Sequence, residues 1–210
     1  MTSPSLIAYD VAAATAATPI FCVGAKDDIP EQAPDALAAL AAANAFRGEA
    51  GAVIAHADGV LLGVGDGGDA LVSAAAAEKL PAGDYYFADN GAINSAARSE
   101  PRHTALGWLL GTYRFTKYKS APSPAARLVA PEGVDVAAVS RAYDAVRRVR
   151  DLVNTPAGDM LPDGLEACAR EIAQAHGADI NVTVGDALIA ENFPMIHAVG
   201  RAASDAPRLI

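Results

Sequence analysis

Cysteine is scarce in this chain: Cys22 and Cys168 are its two copies, far apart and each in an apolar setting. No disulfide framework can be drawn from them and no CxxC pair exists to hold a metal, which leaves two buried thiols in a reducing cytoplasm. Long apolar runs are missing too. No stretch of about 18 apolar residues escapes a charge, so no segment reads as spanning a membrane. Lys and Arg do not occur before Lys26, and no compact apolar core lies at the start, which argues against a secretory signal. The histidines, His56, His103, His176 and His197, are too widely spaced for two to share a helix face as metal ligands. His176, beside Gly177, reads as a helix-end residue. No serine lies in a nucleophile-elbow context. The sequence therefore assigns no catalytic, cofactor-binding or metal-ligating residue.

What is present is ordinary for a soluble globular protein, with 52% hydrophobic and 20% charged residues in 210. That length allows one large domain, or one domain and part of another. Alanine is abundant, so helices should pack closely. The net charge of −9 is unevenly spread: residues 1–97 carry −9, residues 98–150 carry +6 and residues 151–210 carry −6. An acidic protein is repelled by a phosphate backbone unless its basic stretch forms one exposed stripe, so nucleic acid is not expected as a partner. The basic stretch is better read as pairing with acidic surfaces of its own chain or of a partner subunit.

Alternation and helical spacing predict a mixed α/β order. Thr18–Gly24 is a short apolar run closed by glycine, read as a buried strand. Pro34–Phe46 has helical spacing. Two apolar runs, 51–57 and 59–64, meet at Asp58-Gly59, a hairpin signal. Asp69 is expected to cap a helix reaching Lys79, and 84–88 to form a strand. A helix is predicted over at least Thr104–Phe115, where Gly107 and Gly111 imply close packing against another element. Pro122-Ser123-Pro124 marks a loop, and Ala126–Ala130 a strand. The next helix runs from about Val134 to Asn154, where Pro156 stops it.

The stretch Arg150–Pro162 changes composition, charge and pattern, and reads as a seam between domains. Beyond it come a helix from Pro162 to a Gly177 stop, a strand over Ile180–Val184, two short helices over 185–199, and a strand starting at Pro207. Apolar side chains on that last strand call for a further element to cover them, so the second domain is expected to be incomplete.

One motif invites a ligand. Gly63-Val64-Gly65-Asp66-Gly67-Gly68 has the spacing of a dinucleotide-binding loop between a strand and a helix. A plain glycine turn competes with that reading, because the preceding strand belongs to a hairpin and Asp66 and Asp69 place negative charge where phosphate would sit.

Three stretches resemble the leucyl aminopeptidase (cytosol aminopeptidase) family. Arg150-Asp151-Leu152-Val153-Asn154-Thr155-Pro156-Ala157, with Asp159-Met160 and Pro162, is similar to the start of its catalytic domain. Ala198-Val199-Gly200-Arg201-Ala202 and Pro207-Arg208-Leu209-Ile210 resemble the segment shortly before its first metal ligands. Ala105–Gly111 with Tyr113-Arg114-Phe115 and Tyr118-Lys119 is similar to its bacterial N-terminal domain. Gly158 departs from the family, which usually has asparagine there, and Leu161 precedes Pro162 without a capping side chain.

The resemblance implies an N-terminal macro-like three-layer α/β domain (1–132), a connecting helix (133–155) and the incomplete start of an α/β catalytic domain (156–210). It implies a cytoplasmic peptide hydrolase that assembles as a hexamer. Two divalent metals (zinc, manganese or magnesium) would hold the substrate's free amine and scissile carbonyl and activate a bridging water. The family's ligand runs of lysine, aspartate and glutamate are absent here, so no catalytic or metal residue carries over, and this chain is expected to bind none of the metals and to be inactive by itself. Two other function classes stay open: a nucleotide-binding module at Gly63–Gly68, and an interaction module whose basic 98–150 stretch meets acidic partner surfaces.

Overall fold

The computed structural model describes residues 5–25, 27–89, 100–122 and 125–210. Lys26, residues 90–99 and the Ser123-Pro124 part of the expected loop lie outside them. Strand β1 (Leu6–Ile7) and helix α1 (Val11–Ala16) lead to β2 (Thr18–Gly24). Asp10 starts α1 by accepting the Ala12 amide at 2.9 Å, which satisfies one of the open first-turn donors. Helix α2 (Asp35–Ala43) precedes the hairpin of β3 (Val53–His56) and β4 (Gly59–Gly65), whose antiparallel register closes at His56 and Gly59. The Asp-Gly signal had pointed to that turn.

Two helix ends differ from expectation. Asp69 caps a turn rather than a helix: its carboxylate accepts the Leu71 amide at 2.8 Å, and α3 (Ala74–Lys79) begins further on. After β5 (Gly83–Phe87), α4 (Pro101–Thr112) stops short of Phe115. There Thr112 donates its hydroxyl to the Leu109 carbonyl at 2.7 Å, and Arg114 donates to the Gly111 and Tyr113 carbonyls at 3.1 and 2.8 Å. Side chains thus take last-turn acceptors that further helical turns would use. β6 (Ala126–Val129) and α5 (Val136–Asn154) follow as read.

The six strands order as β1-β6-β5-β2-β4-β3, with every neighbouring pair parallel except the β3–β4 hairpin. Alternation along β2 and β4 builds two apolar layers. Ile20, Val60, Leu62 and Val64 face α3, α4 and α5 with Trp108, Leu109 and Tyr143, whereas Phe21, Val23 and Leu61 face Leu37 and Ala41 of α2. The result is a three-layer α/β arrangement, helix on sheet on helix. Trp108 is fully buried beside Tyr85, their ring centroids 6.0 Å apart.

The close packing inferred from Gly107 and Gly111 is observed: Gly111 meets the first residue of α3, and Gly107 meets Ser73 and Leu71 just before it. A Cβ on Gly107 would lie 2.4 Å from Ser73 Oγ, and one on Gly111 would lie 2.2 Å from the Ala74 carbonyl oxygen.

Contacts divide the chain into two units, Met1–Arg147 and Arg148–Ile210. The second holds the end of α5, then α6 (Pro162–His176), β7 (Thr183–Val184), α7 (Ala187–Ala190), α8 (Pro194–Gly200) and β8 (Arg208–Leu209). Gly177 ends α6 in the left-handed conformation (φ 64°), where a side chain would be strained, and His176 occupies the last turn as expected. The strand expected over 180–184 shrinks to β7, because its partner β8 offers only Arg208 and Leu209 for pairing.

Candidate functional site

The glycine-rich loop after β4 is explained by packing within the first unit. A Cβ at Gly63 would fall 2.1 Å from the Glu49 carbonyl oxygen, and one at Gly65 would meet Ala50 at 3.1 Å. Gly63 and the neighbouring segment exchange backbone bonds, Gly51 N to Gly63 O at 2.9 Å and Gly63 N to Ala52 O at 2.8 Å. Asp66 accepts the Gly68 amide at 3.1 Å, so a carboxylate occupies the place a phosphate would take. The next helix, α3, starts only at Ala74 and has six residues. Small residues are required here so that two backbones can touch, and no helix N-terminus adjoins the loop to cradle an anion.

The histidines sit on four separate elements. His56 ends β3, His103 lies in the first turn of α4, His176 ends α6, and His197 on α8 sits 3.1 Å from Asp186. Among the described residues no three His, Cys, Asp or Glu side chains come together to hold a metal. The donor set present does not fit a two-metal centre, and no hydrolytic step can be derived on these residues.

Neither cysteine forms a disulfide, and both are partly buried. Desolvation, and then the nearby negative charge of Asp89, push the Cys22 thiol far above its ordinary range, so it carries no reactive thiolate near neutral pH. Cys168 Sγ lies 3.9 Å from Arg148 Nη1, which also reaches Glu171 at 3.4 Å.

Basic side chains from the 98–150 stretch pair within their own units. Arg127 grips Asp84 through two bonds of 2.6 and 2.7 Å across the β5–β6 register, and Arg114 lies 3.9 Å from Glu78. Self-pairing of this kind accounts for part of the charge segregation without a partner.

In the second unit the polar geometry centres on Arg208. Its guanidinium, with 10% of the side chain exposed, meets Glu166 at 2.5 Å and Asp205 at 2.6 Å. Asp205 also accepts the Asp163 amide at 2.7 Å, and Glu166 is held from its other side by Arg170 at 2.7 Å. Bonds from Arg170, then Arg208, hold the Glu166 carboxyl below its ordinary value of 4.5. This knot ties β8 to the first turns of α6. Sequence spacing could not show it, since Glu166 and Arg208 are 42 residues apart.

Two family models match the chain. One, described as M17 aminopeptidase, N-terminal domain, covers residues 27–131, and the other, described as Cytosol aminopeptidase family, catalytic domain, covers residues 147–210. Among curated relatives, a probable cytosol aminopeptidase of Nocardia farcinica is 33% identical over 148 residues, spanning 64% of this chain and 28% of its own. One from Streptomyces griseus is 32% identical over 143 residues, 57% of this chain and 28% of its own. Among solved structures, the cytosol aminopeptidase from Coxiella burnetii superposes with a TM-score of 0.78 at 25% identity, covering 98% of this chain and 45% of that one. The bottromycin maturation enzyme BotP in complex with Mn gives 0.71 at 26% identity, over 92% of this chain and 44% of that one. The chain thus spans less than half the length of these proteins.

Proposed function

The chain belongs to the cytosol aminopeptidase family, and from that premise we propose that it forms the N-terminal portion of a metal-dependent leucyl-type aminopeptidase, which releases N-terminal residues from peptides. In this reading residues 1–132 are the N-terminal domain, 133–155 the connecting helix and 156–210 the first part of the catalytic domain. The observation that carries it is the continuous likeness to the Coxiella burnetii cytosol aminopeptidase over 98% of the chain, across both units. The activity would need two divalent ions (Mn, Zn or Mg), a need supported by the manganese in the BotP complex. When bound, such ions would polarise the scissile carbonyl and activate water. The family's ligand runs of lysine, aspartate and glutamate do not occur in residues 1–210, so this chain by itself should be inactive. Assembly as a homo-oligomer, hexameric as the family resemblance implies, and a cytoplasmic location belong to the same proposal. No helix here is long and apolar enough to cross a membrane.

Two measurements test this. The chain alone, repurified and supplied with manganese, should not turn over a leucine anilide, and turnover that tracks the protein through purification would overturn the inactivity. A chimera in which this chain replaces the corresponding part of the Coxiella burnetii enzyme should hydrolyse the same anilide only with metal. A folded chimera without metal-dependent activity would overturn the aminopeptidase reading.

A further inference from the structure

Part of the basic charge in 98–150 stays unpaired within the first unit. Lys117 and Lys119 are exposed and have no carboxylate partner among the described residues. They lie in the bends that follow α4, and the same loop carries two aromatic rings. Phe115 meets Tyr118 edge-on with ring centroids 5.9 Å apart, and Lys117 Nζ sits 5.6 Å from the centre of the Tyr118 ring. Phe115 is half-buried, whereas Tyr118 is 54% exposed. An exposed ring braced by a second ring, with two ammonium groups beside it, can anchor a contact with an acidic surface.

The same unit carries such a surface. Between β2 and α2, Asp28, Glu31 and Asp35 are exposed and have no cationic partner among the described residues. Ile29 and Ala33 pack against the layer of Phe21, Leu37 and Leu61, which fixes the backbone that carries the three carboxylates. Ala36 and Ala39 are exposed on α2 close to Asp35, and their small side chains leave a flat seat for a ring. The acidic segment packs on the α2 side of the sheet. Helix α4, which leads into the basic loop, packs on the other side through Trp108 and Leu109. Among the described residues no ion pair joins the two surfaces, so each keeps its charge in the folded chain. A basic loop with aromatic rings also suits single-stranded nucleic acid, but the −9 carried by residues 1–97 repels a phosphate backbone and favours an acidic protein surface.

We propose that the basic loop 115–119 of one copy of this chain docks on the acidic segment 28–35 of a second copy. Tyr118 would lie over Ala36 and Ala39, with Lys117 and Lys119 facing Asp28, Glu31 and Asp35. The two surfaces differ, so the contact is heterologous. It passes from copy to copy until a ring closes, whereas a two-fold dimer would stop at two. The inference concerns the first unit and does not depend on the aminopeptidase reading.

Sedimentation velocity of the full chain tests it without any turnover. At about 20 mM salt the mass should rise with concentration beyond a dimer, with a Kd on the order of 100 μM per contact. At about 500 mM salt association should weaken at least about tenfold, because exposed charges are screened. Lys117→Gln with Lys119→Gln should sediment as a monomer at low salt, and so should Asp28→Asn with Glu31→Gln and Asp35→Asn. Mixed in equal amounts, the two variants should form a dimer and nothing larger, because one keeps the acidic surface and the other the basic one. Tyr118→Ala, which leaves the charge unchanged, should weaken wild-type association at least about fivefold. Circular dichroism checks folding, and Lys119→Gln or Glu31→Gln alone serves where a multiple variant does not fold. A monomer up to about 500 μM, association untouched by salt or by either set of substitutions, or folded variants that do not pair when mixed overturn the proposal. A chain that stays monomeric and retains a dT oligonucleotide through Lys117 and Lys119 overturns it as well.

Discussion

Alanine in place of Gly111 should lower the melting temperature of the chain by about 2–4 °C, although helix propensity alone argues for a rise. In the interior of a helix alanine is favoured over glycine by about 1 kcal/mol. Against that gain stands the wall of α3. The new Cβ would lie 2.2 Å from the Ala74 carbonyl oxygen and 2.8 Å from both the Ala74 carbonyl carbon and its Cα. These are backbone atoms, so no side chain can swing aside, and α3 and α4 must part. Overpacking of this kind costs about 1–3 kcal/mol and sometimes more, so the net sign is loss. Gly107→Ala should act in the same direction by a second route. Its Cβ would meet Ser73 Oγ at 2.4 Å, and that hydroxyl donates to the Thr104 carbonyl in a buried bond of 2.7 Å. Because both glycines lean on the start of α3 and the turn that leads into it, the double variant should not show additive losses. Thermal unfolding followed by circular dichroism decides it, and a raised or unchanged midpoint in either single variant would show that α3 yields.

These glycines also mark how far sequence reasoning reaches. Their spacing implied a close neighbour, and the structure supplies one, but only the fold reveals that it is α3. Strands β2 and β4 were legible because buried parallel strands read as continuous apolar runs, and the β3–β4 hairpin because Asp58-Gly59 carries a turn signal. Strand β1 and helix α1 left no signal strong enough to read. A two-residue strand has no measurable period, and its place is set by pairing with Leu128 and Val129, more than 120 residues away. Asp69 shows the same limit at short range: an aspartate that caps a helix and one that caps a turn look identical in sequence. A groove between the first turn of α4 and the start of α5 was not foreseen, since the residues that line it, Arg102 and Asp135 among them, come together only after the sheet has folded. The glycine loop was legible in its chemistry and ambiguous in its use, and contact with the Glu49 backbone resolves it.

The second unit depends on charge more than the first does, and Arg208→Leu should therefore loosen it while leaving the sheet unit folded. Its buried apolar side chains are few, Leu188, Ala173 and Pro207, whereas Val153, Met195 and Val199 are exposed at 75% or more. A core that small contributes little, so polar contacts that cross the unit decide whether it holds. Leucine keeps the bulk of Arg208 but leaves Glu166 and Asp205 facing each other without the cation between them. Amides of β7, β8 and the start of α6 should lose hydrogen-exchange protection by at least about tenfold, while those of β2 and β4 stay unchanged. Arg208→Lys should recover only part of the protection, because a single ammonium cannot serve two carboxylates with the guanidinium's fixed fork. Acid should act on the same knot. The folded Glu166 carboxyl lies below its ordinary value of 4.5, so its contribution is fully present above that value and is lost as pH falls through the lower, folded one. In the wild-type chain, protection in the second unit should therefore fall below about pH 4.5, and the Arg208→Leu chain should keep only the part of that dependence that the Arg170 bond to Glu166 supplies. Equal protection in the two chains at neutral pH, or an acid response of undiminished size after the substitution, would show that the strand β8 is held by something other than Arg208.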